Sequence, residues 1–444
     1  MILRSSRVVL ADGVHPADLH IDHGVIRRIE RTTRPAAAEA GAIDVGTRLV
    51  LPGLVDSHVH VNEPGRTEWE GFDTATRAAA AGGITTIVDM PLNCVPATTS
   101  VAALDAKRAA AHGSSHVDVA FWGGVVPGNA PALDALAAAG VRGFKCFLVP
   151  SGVDEFQPVG EVDLRAAMPR LARCGVPLLV HAESPDRIRP AADARPDRYA
   201  TYLDTRPSDA EVEAIRMIVD LAREFGVRVH IVHVASAEAA HEIAGAKAHG
   251  VPITAETCPH YLTFAAEEIP DGAPEYKCAP PIRASSHREA LWAALGSGTL
   301  DVIATDHSPA PPAMKCHRDL LRAWGGIASL ELSLAAVWTR LVADATPESC
   351  ERAAVVLAGW MSRAPAALAG LESKGRIAEG YDADLVIWDP DVEWVVDPDR
   401  LQQRHKITPY AARRLRGRVE ATYLRGVRVW ADGRLERGGA GRLL

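Results

Sequence analysis

Long basic runs and long apolar stretches are absent from this chain of 444 residues. Its seven cysteines (Cys94, Cys146, Cys174, Cys258, Cys278, Cys316 and Cys350) are odd in number, scattered, and without a C-x-x-C pair. Such usage excludes a disulfide-stapled scaffold and fits reduced thiols in a cytosolic protein. No apolar run approaches the roughly 20 residues of a membrane span. The N-terminal MILRSSRVVLADG alternates apolar and polar residues as far as Asp12-Gly13, which reads as a strand and turn and not as a signal peptide. The expected location is the cytoplasm, with no membrane partner. A formal charge of -8 and the lack of any run of more than two successive Lys or Arg leave no expected electrostatic footprint for nucleic acid. Aromatic residues make up only 5%, yet 48% of the chain is hydrophobic and 23% charged, so disorder is excluded and a large core can be buried. The expected partner is a small molecule.

Between Gly53 and Asp306 short apolar runs alternate with longer alanine-rich amphipathic stretches, the pattern of repeated βα units. The eight runs are Val50-Val61, Ile84-Met90, Val117-Trp122, Val141-Leu148, Pro177-His181, Val227-Val234, Pro252-Thr257 and Leu300-Asp306. Helical stretches such as Phe72-Ala81, Val101-His112, Asp163-Cys174, Asp209-Phe225 and Ala237-His249 lie between them, several ending at glycine. Eight such units predict an α/β chain built on a (β/α)8 barrel over residues 51–371. Residues 1–50 and 372–444 instead hold short β-like segments (Val8-Leu10, Leu19-Ile21, Val25-Ile29, Ala383-Trp388, Ala421-Leu424, Val427-Val429) between turn pairs. These ends are expected to pair as a small β-sandwich beside the barrel. The Arg/Ala-biased stretch 31–40 reads as a loose loop, and no repeat other than the βα units is present.

The first run ends in Asp56-Ser57-His58-Val59-His60, and residues two apart on a strand project to one face, so His58 and His60 can share a metal ion. Alone the pair is a weak signal, but catalytic residues of barrels sit at the C-terminal ends of strands, where this pair lies. The fifth run ends in His181-Ala182-Glu183, the sixth holds His230 and His233, and the eighth ends in Asp306-His307. Imidazole and carboxylate suit Zn, Co, Fe or Mn. Three residues separate His230 from His233, so only one is expected to face the interior, and His233, nearer the strand end, is the choice. Any one of these histidines could be a satisfied core residue; several on one rim argue for a site.

The fourth run places Lys145 in the apolar segment Gly143-Phe144-Lys145-Cys146-Phe147-Leu148, in a chain with only seven lysines against 41 arginines. Nearby cations and desolvation both favour a neutral amine. Such an amine can add carbon dioxide, giving an anionic carbamate able to bridge two metals; the bland alternative is a lysine snorkelling to solvent.

Taken with the segments Asn62-Glu63-Pro64-Gly65-Arg66-Thr67, Asp89-Met90-Pro91-Leu92-Asn93, Glu256-Thr257-Cys258-Pro259-His260-Tyr261, Cys278-Ala279-Pro280-Pro281 and Trp324-Gly325-Gly326, the chain resembles the amidohydrolase superfamily in its cyclic-amidase branch, and there most closely the allantoinases. That resemblance implies a homotetrameric enzyme whose binuclear centre of two divalent ions, zinc foremost, is held by His58, His60, His181 and His233. It also implies a carbamate on Lys145 as the bridge, and Asp306 as ligand and catalytic base. The reaction implied is opening of a hydantoin ring, that of allantoin, to allantoate. The two ions would lower the pKa of a bridging water, and Asp306 would pass its proton to the departing ring nitrogen. Recognition of a neutral cyclic ureide is assigned to Asn93 and to backbone near Ala279 and Gly325, although an asparagine after Met-Pro-Leu is equally a turn residue.

Three rivals follow from the same residues. A dihydroorotase would need a guanidinium for the substrate carboxylate, typically two residues after the second histidine, where this chain has Asn62; Arg66 or Arg283 would have to substitute. A hydantoinase or dihydropyrimidinase usually carries a tyrosine soon after the bridging lysine, and Leu148-Val149-Pro150-Ser151-Gly152 has none. A metal-free scaffold relative should have let its ligands drift, whereas all six candidates are present.

Overall fold

The computed structural model describes residues 1–32, 41–192, 195–315, 318–343 and 346–444. Strands Leu54–Val59, Ile84–Asp89 and Asp118–Phe121 pair in parallel. A second parallel set runs Gly123–Gly124, Phe144–Phe147, Leu178–His181, Val229–Ile231, Ile253–Thr257 and Val302–Ile303. Hydrogen bonds join the sets on both sides. Trp122 N–H reaches back to Asp89 O at 3.0 Å while Gly123 N–H reaches forward to Gly143 O at 2.9 Å, so 118–124 acts as one strand between its neighbours. On the far side Val59 bridges His307, and His60 N–H donates to His307 O at 2.9 Å. Eight parallel strands thus ring the core, with helices outside, as the alternation of the sequence predicts.

Local chemistry sets the helix ends. Ser100 and Ser236 accept from Ala103 N–H at 3.3 Å and Ala239 N–H at 3.2 Å, capping Val101–Ala111 and Ala237–Ala248. Glu161–Cys174 and Ser208–Phe225 end at Gly175 and Gly226, whose φ of 68° and 64° lie in the left-handed region.

Both chain ends contribute to one nine-stranded sheet, from Ile2–Leu10, Gly13–Asp22, Val25–Arg31, Ala42–Asp44 and Leu49–Pro52 at the front to Leu385–Val395, Arg414–Leu424, Val427–Ala431 and Arg434–Leu435 at the back. Its hydrogen-bonded path is continuous, and Leu3, Leu19, Val50, Leu385 and Tyr423 share one core cluster. The run Val50-Val61 is therefore two strands and not one. Leu49–Pro52 pairs with Leu385–Val395 in the terminal sheet, Gly53 intervenes, and Leu54–Val59 enters the barrel. A Cβ at Gly53 would meet Asp384 at 2.8 Å, so the chain turns where only glycine fits. Lys374 ties the two parts together, its ammonium lying 2.6 Å from Asp118, 2.9 Å from Asp382 and 2.7 Å from Asp384. Most of the loop expected over 31–40 falls outside the described residues, as does Cys316; the six described cysteines are free. No described helix is long and apolar enough to cross a membrane.

Candidate metal centre

His58 is the penultimate residue of the first barrel strand, Leu54–Val59, and His60 follows just past its end on the same face. His58 Nε2 and His60 Nε2 each lie 3.1 Å from Asp306 Oδ1, so three potential ligand atoms from opposite ends of the barrel sequence converge. Asp306 holds φ at 47°, a left-handed conformation that is costly for a residue with a side chain and that turns its carboxylate to the barrel mouth. His181 ends the fifth strand. Its ring centroid lies 4.6 Å from that of His233, which in turn lies 5.5 Å from that of His58. Lys145 stands below, fully buried, its Nζ without a hydrogen-bond partner and 4.8 Å from the Phe147 ring centroid.

The expectation that only one of His230 and His233 faces inward needs correction. Lys145, Leu179 and His230 are register partners on adjacent strands and share the interior face. His230 fills that layer, with Nε2 3.1 Å from Glu256 and Nδ1 2.8 Å from Thr254. The strand ends at Ile231, and His233 adopts φ of 40°, which breaks the alternation and brings a second imidazole inward.

A cavity of about 240 Å³ opens over these groups. His58, His60, His181, His233 and Asp306 line it, together with Asn93, Ala279 and Gly325. Asn93 is both things that the sequence allowed, a turn residue at φ of 69° and a cavity residue whose buried amide oxygen lacks a partner. The guanidiniums weighed as carboxylate binders are engaged elsewhere. Arg66 pairs with Glu155, and Arg283 with Glu211 at 2.6 Å. Arg206 and Arg322 line the cavity instead, as does Tyr202.

Electrostatics prepare the imidazoles as lone-pair donors. Burial pushes His60 down to about 4, and burial followed by neighbouring cationic groups holds His181 and His233 well below the ordinary range. Burial also brings Lys145 down to about 8. His58 behaves oppositely: burial disfavours its charge, but Asp306 and Glu256 prevail and raise it to about 9. Burial works against the charge of Asp306 too, yet His58 and His60 hold its carboxyl well below the usual range.

The ligand shell has supports that the sequence reading left without a role. Glu256 bonds His58 Nδ1, leaving Nε2 for the cavity side. Glu183 Oε2 lies 2.7 Å from His181 Nε2 and also accepts from Arg206. A carboxylate behind a histidine fixes its ring and raises its basicity as a ligand. Glu256 could have been noticed as an acid inside an apolar strand run, the signal that singled out Lys145. The donor set fits divalent metal: imidazole nitrogens, one carboxylate, and a buried amine with no protein partner. A second acidic cluster, Asp118, Asp382 and Asp384, is filled by the Lys374 ammonium.

Comparison with known proteins agrees with this geometry. Residues 49–429 match the family described as "Amidohydrolase family". The allantoinase of Streptomyces avermitilis is 48% identical over 433 residues, covering 98% of this chain and 96% of that protein. The allantoinase of Arabidopsis thaliana is 41% identical, covering 97% of this chain and 88% of its own length. Among solved structures, the L-hydantoinase (dihydropyrimidinase) of Arthrobacter aurescens superposes with a TM-score of 0.91 at 31% identity, covering 100% of this chain and 98% of its own.

Proposed function

The chain belongs to the amidohydrolase family, and from that premise we propose that it is a metal-dependent cyclic amidohydrolase opening the hydantoin ring of allantoin to give allantoate. The observation that carries the reading is the convergence of His58, His60 and Asp306 at one barrel rim beside His181 and His233, above an unpartnered buried Lys145. In this reading His58, His60, His181, His233 and Asp306 would hold two divalent ions, zinc foremost, and Lys145, as its carbamate, would be their further ligand. When bound, the ions supply Lewis acidity for the attacked carbonyl and make water acidic enough to ionise near neutral pH.

The protein's own groups do the rest. Glu256 and Glu183 orient the rings of His58 and His181. Asp306, ionised and at the cavity floor, accepts the proton of the attacking water at a carboxylate oxygen and returns it to the ring nitrogen that leaves. Asn93 offers an unpartnered amide oxygen to a ring N–H. Ala279 and Gly325 offer peptide groups, which suit a neutral ureide better than a charge would. Phe147, stacked on His181 with centroids 4.5 Å apart, and Trp324 give the wall apolar patches between its polar groups. The same reading takes the protein as a cytoplasmic homotetramer with its catalytic barrel over 51–371 and the accessory sheet from 1–50 and 372–444.

The likeness to a hydantoinase, and Tyr202, Arg206 and Arg322 in the cavity wall, keep two neighbouring substrates in the test. Metal-loaded protein is given allantoin, hydantoin, dihydrouracil and dihydroorotate in parallel, with ring opening and metal content measured on the same sample. Turnover of allantoin well above the others is expected. Preference for dihydroorotate would instead assign Arg322 to a substrate carboxylate, Arg206 being held by Glu183, and overturn the allantoin reading.

A further inference from the structure

Two of the chain's seven lysines, Lys277 and Lys315, are buried beside the cavity and have no carboxylate partner among the described residues. Both ammonium groups are turned on backbone carbonyls. Lys277 Nζ donates to Leu321 O at 3.3 Å and Ala323 O at 2.5 Å. Lys315 Nζ donates to Trp324 O at 3.1 Å, Gly326 O at 2.7 Å and Pro274 O at 3.4 Å. The loop 321–326 is thus drawn toward two cations, and Gly326 N–H closes it further onto Lys277 O at 2.7 Å. Burial without a counter-ion disfavours both charges and pushes each amine down to about 8, so the carbonyls carry most of what stabilises them.

The consequence lies in which peptide groups remain unused. In the segment 323–326 the carbonyls of residues 323, 324 and 326 are taken, and only Gly325 has neither its N–H nor its C=O in a described hydrogen bond. The facing segment repeats the pattern. Cys278 O accepts from Tyr202 OH at 2.7 Å, Pro280 O accepts from Tyr261 OH at 2.6 Å, and Ala279 between them has no hydrogen bond among the described residues. Gly325 and Ala279 both line the cavity. Gly326 can take its φ of 131° against the Ser308 carbonyl only because it has no Cβ.

We propose that Lys277 and Lys315 are positioning residues for substrate recognition: their ammonium groups fix the 321–326 loop so that the free peptide groups of Gly325 and Ala279 face the cyclic amide. The inference rests on the reading of this cavity as the ring-binding site. A tetrahedral ammonium can gather carbonyls from several directions, whereas a planar guanidinium presents a fixed fork, so arginine should not substitute.

The test uses K277M, K315M, K277Q, K315Q and K315R in the full-length, metal-loaded protein. Two readouts are taken: amide hydrogen exchange over 320–327, and steady-state kinetics with allantoin. Faster exchange confined to that segment is expected in the Met variants, with KM raised about tenfold or more, kcat within about threefold and metal content unchanged. The Gln variants, which keep an N–H donor, should lie closer to wild type, and K315R should resemble K315M. Exchange and KM equal to wild type in soluble Met or Gln variants would overturn the proposal, as would a fall in kcat at constant KM. If the Met variants do not fold, the Gln variants decide by the same two readouts. If the wild-type protein does not open allantoin, the allantoin reading fails alone, and the exchange data still decide whether the lysines fix the loop.

Discussion

Replacing Glu256 by glutamine keeps the side-chain volume but removes a carboxylate that serves two imidazoles. One oxygen bonds His58 Nδ1 and the other lies 3.1 Å from His230 Nε2. A glutamine has one acceptor oxygen, so one ring must now face an amide N–H. Losing a hydrogen bond to a charged group costs about 1.5–3 kcal/mol. Changing the partner behind a metal-bound histidine typically lowers affinity about 10–100-fold, which is roughly 1.4–2.7 kcal/mol, so the two routes agree. A second effect opposes them. Asp306 and Glu256 raise His58 to about 9, so below that pH a proton competes with metal for Nε2, and Glu256→Gln weakens the proton's hold as well. The two effects partly cancel at pH 7, and the first dominates increasingly as pH rises above about 9. Chelator competition on metal-loaded protein at pH 7 and 9.5 should show a loss of affinity of about 10–100-fold at the higher pH and a smaller one at the lower. Affinity within twofold of wild type at pH 9.5, with unfolding unchanged, would refute the assignment of Glu256 as the support of His58.

Lys145→Ala should lose about half the bound metal and nearly all turnover, partly restored by a short carboxylic acid; unchanged metal content by elemental analysis would remove Lys145 from the bridge. Lys374→Met leaves Asp382 and the buried Asp384 without their ammonium, while Asp118 keeps Arg425. It should destabilise by about 3–5 kcal/mol in denaturant unfolding, whereas a change within experimental error would mean that the cluster relaxes into water. Burial raises Glu331 to about 7, above its unfolded value of 4.5, although Gln402 N–H donates to it at 2.6 Å. The native state therefore binds the proton more tightly, and stability falls as pH rises from about 4.5 to 7. Glu331→Gln should be more stable than wild type at pH 8, by up to roughly 3 kcal/mol, and equal to it near pH 4; equal stability at both pH values would argue against the buried site.

Period and punctuation made most of the barrel legible. Helices expected at Phe72-Ala81, Asp209-Phe225 and Ala237-His249 agree with those observed to within a residue at either end, because alanine-rich amphipathic stretches bounded by serine or glycine carry their own limits. The join at Gly53 was not legible. Val50-Val61 is apolar throughout, and an apolar run reads the same whether its two halves sit in one sheet or in two. At the rim, strand-end position placed His58, His60, His181, His233 and Asp306 beside one cavity. Strand parity failed at His233, where the left-handed backbone at φ of 40° resets the alternation.

The supports were hidden for a different reason. Glu256 meets His58 across 198 positions, and Lys315 meets Gly326 as part of a loop whose other anchor is Lys277. By itself the sequence determined the repeating βα architecture and which side chains stand at the strand ends, since both follow from local periodicity and from chemistry written residue by residue. Only the tertiary structure decided which carboxylate backs which imidazole, which of the rare lysines lie buried on carbonyls, and which cavity-lining peptide groups have no hydrogen bond among the described residues. Those are pairings between distant segments, fixed by closure of the ring and by the requirement that buried polar groups find partners.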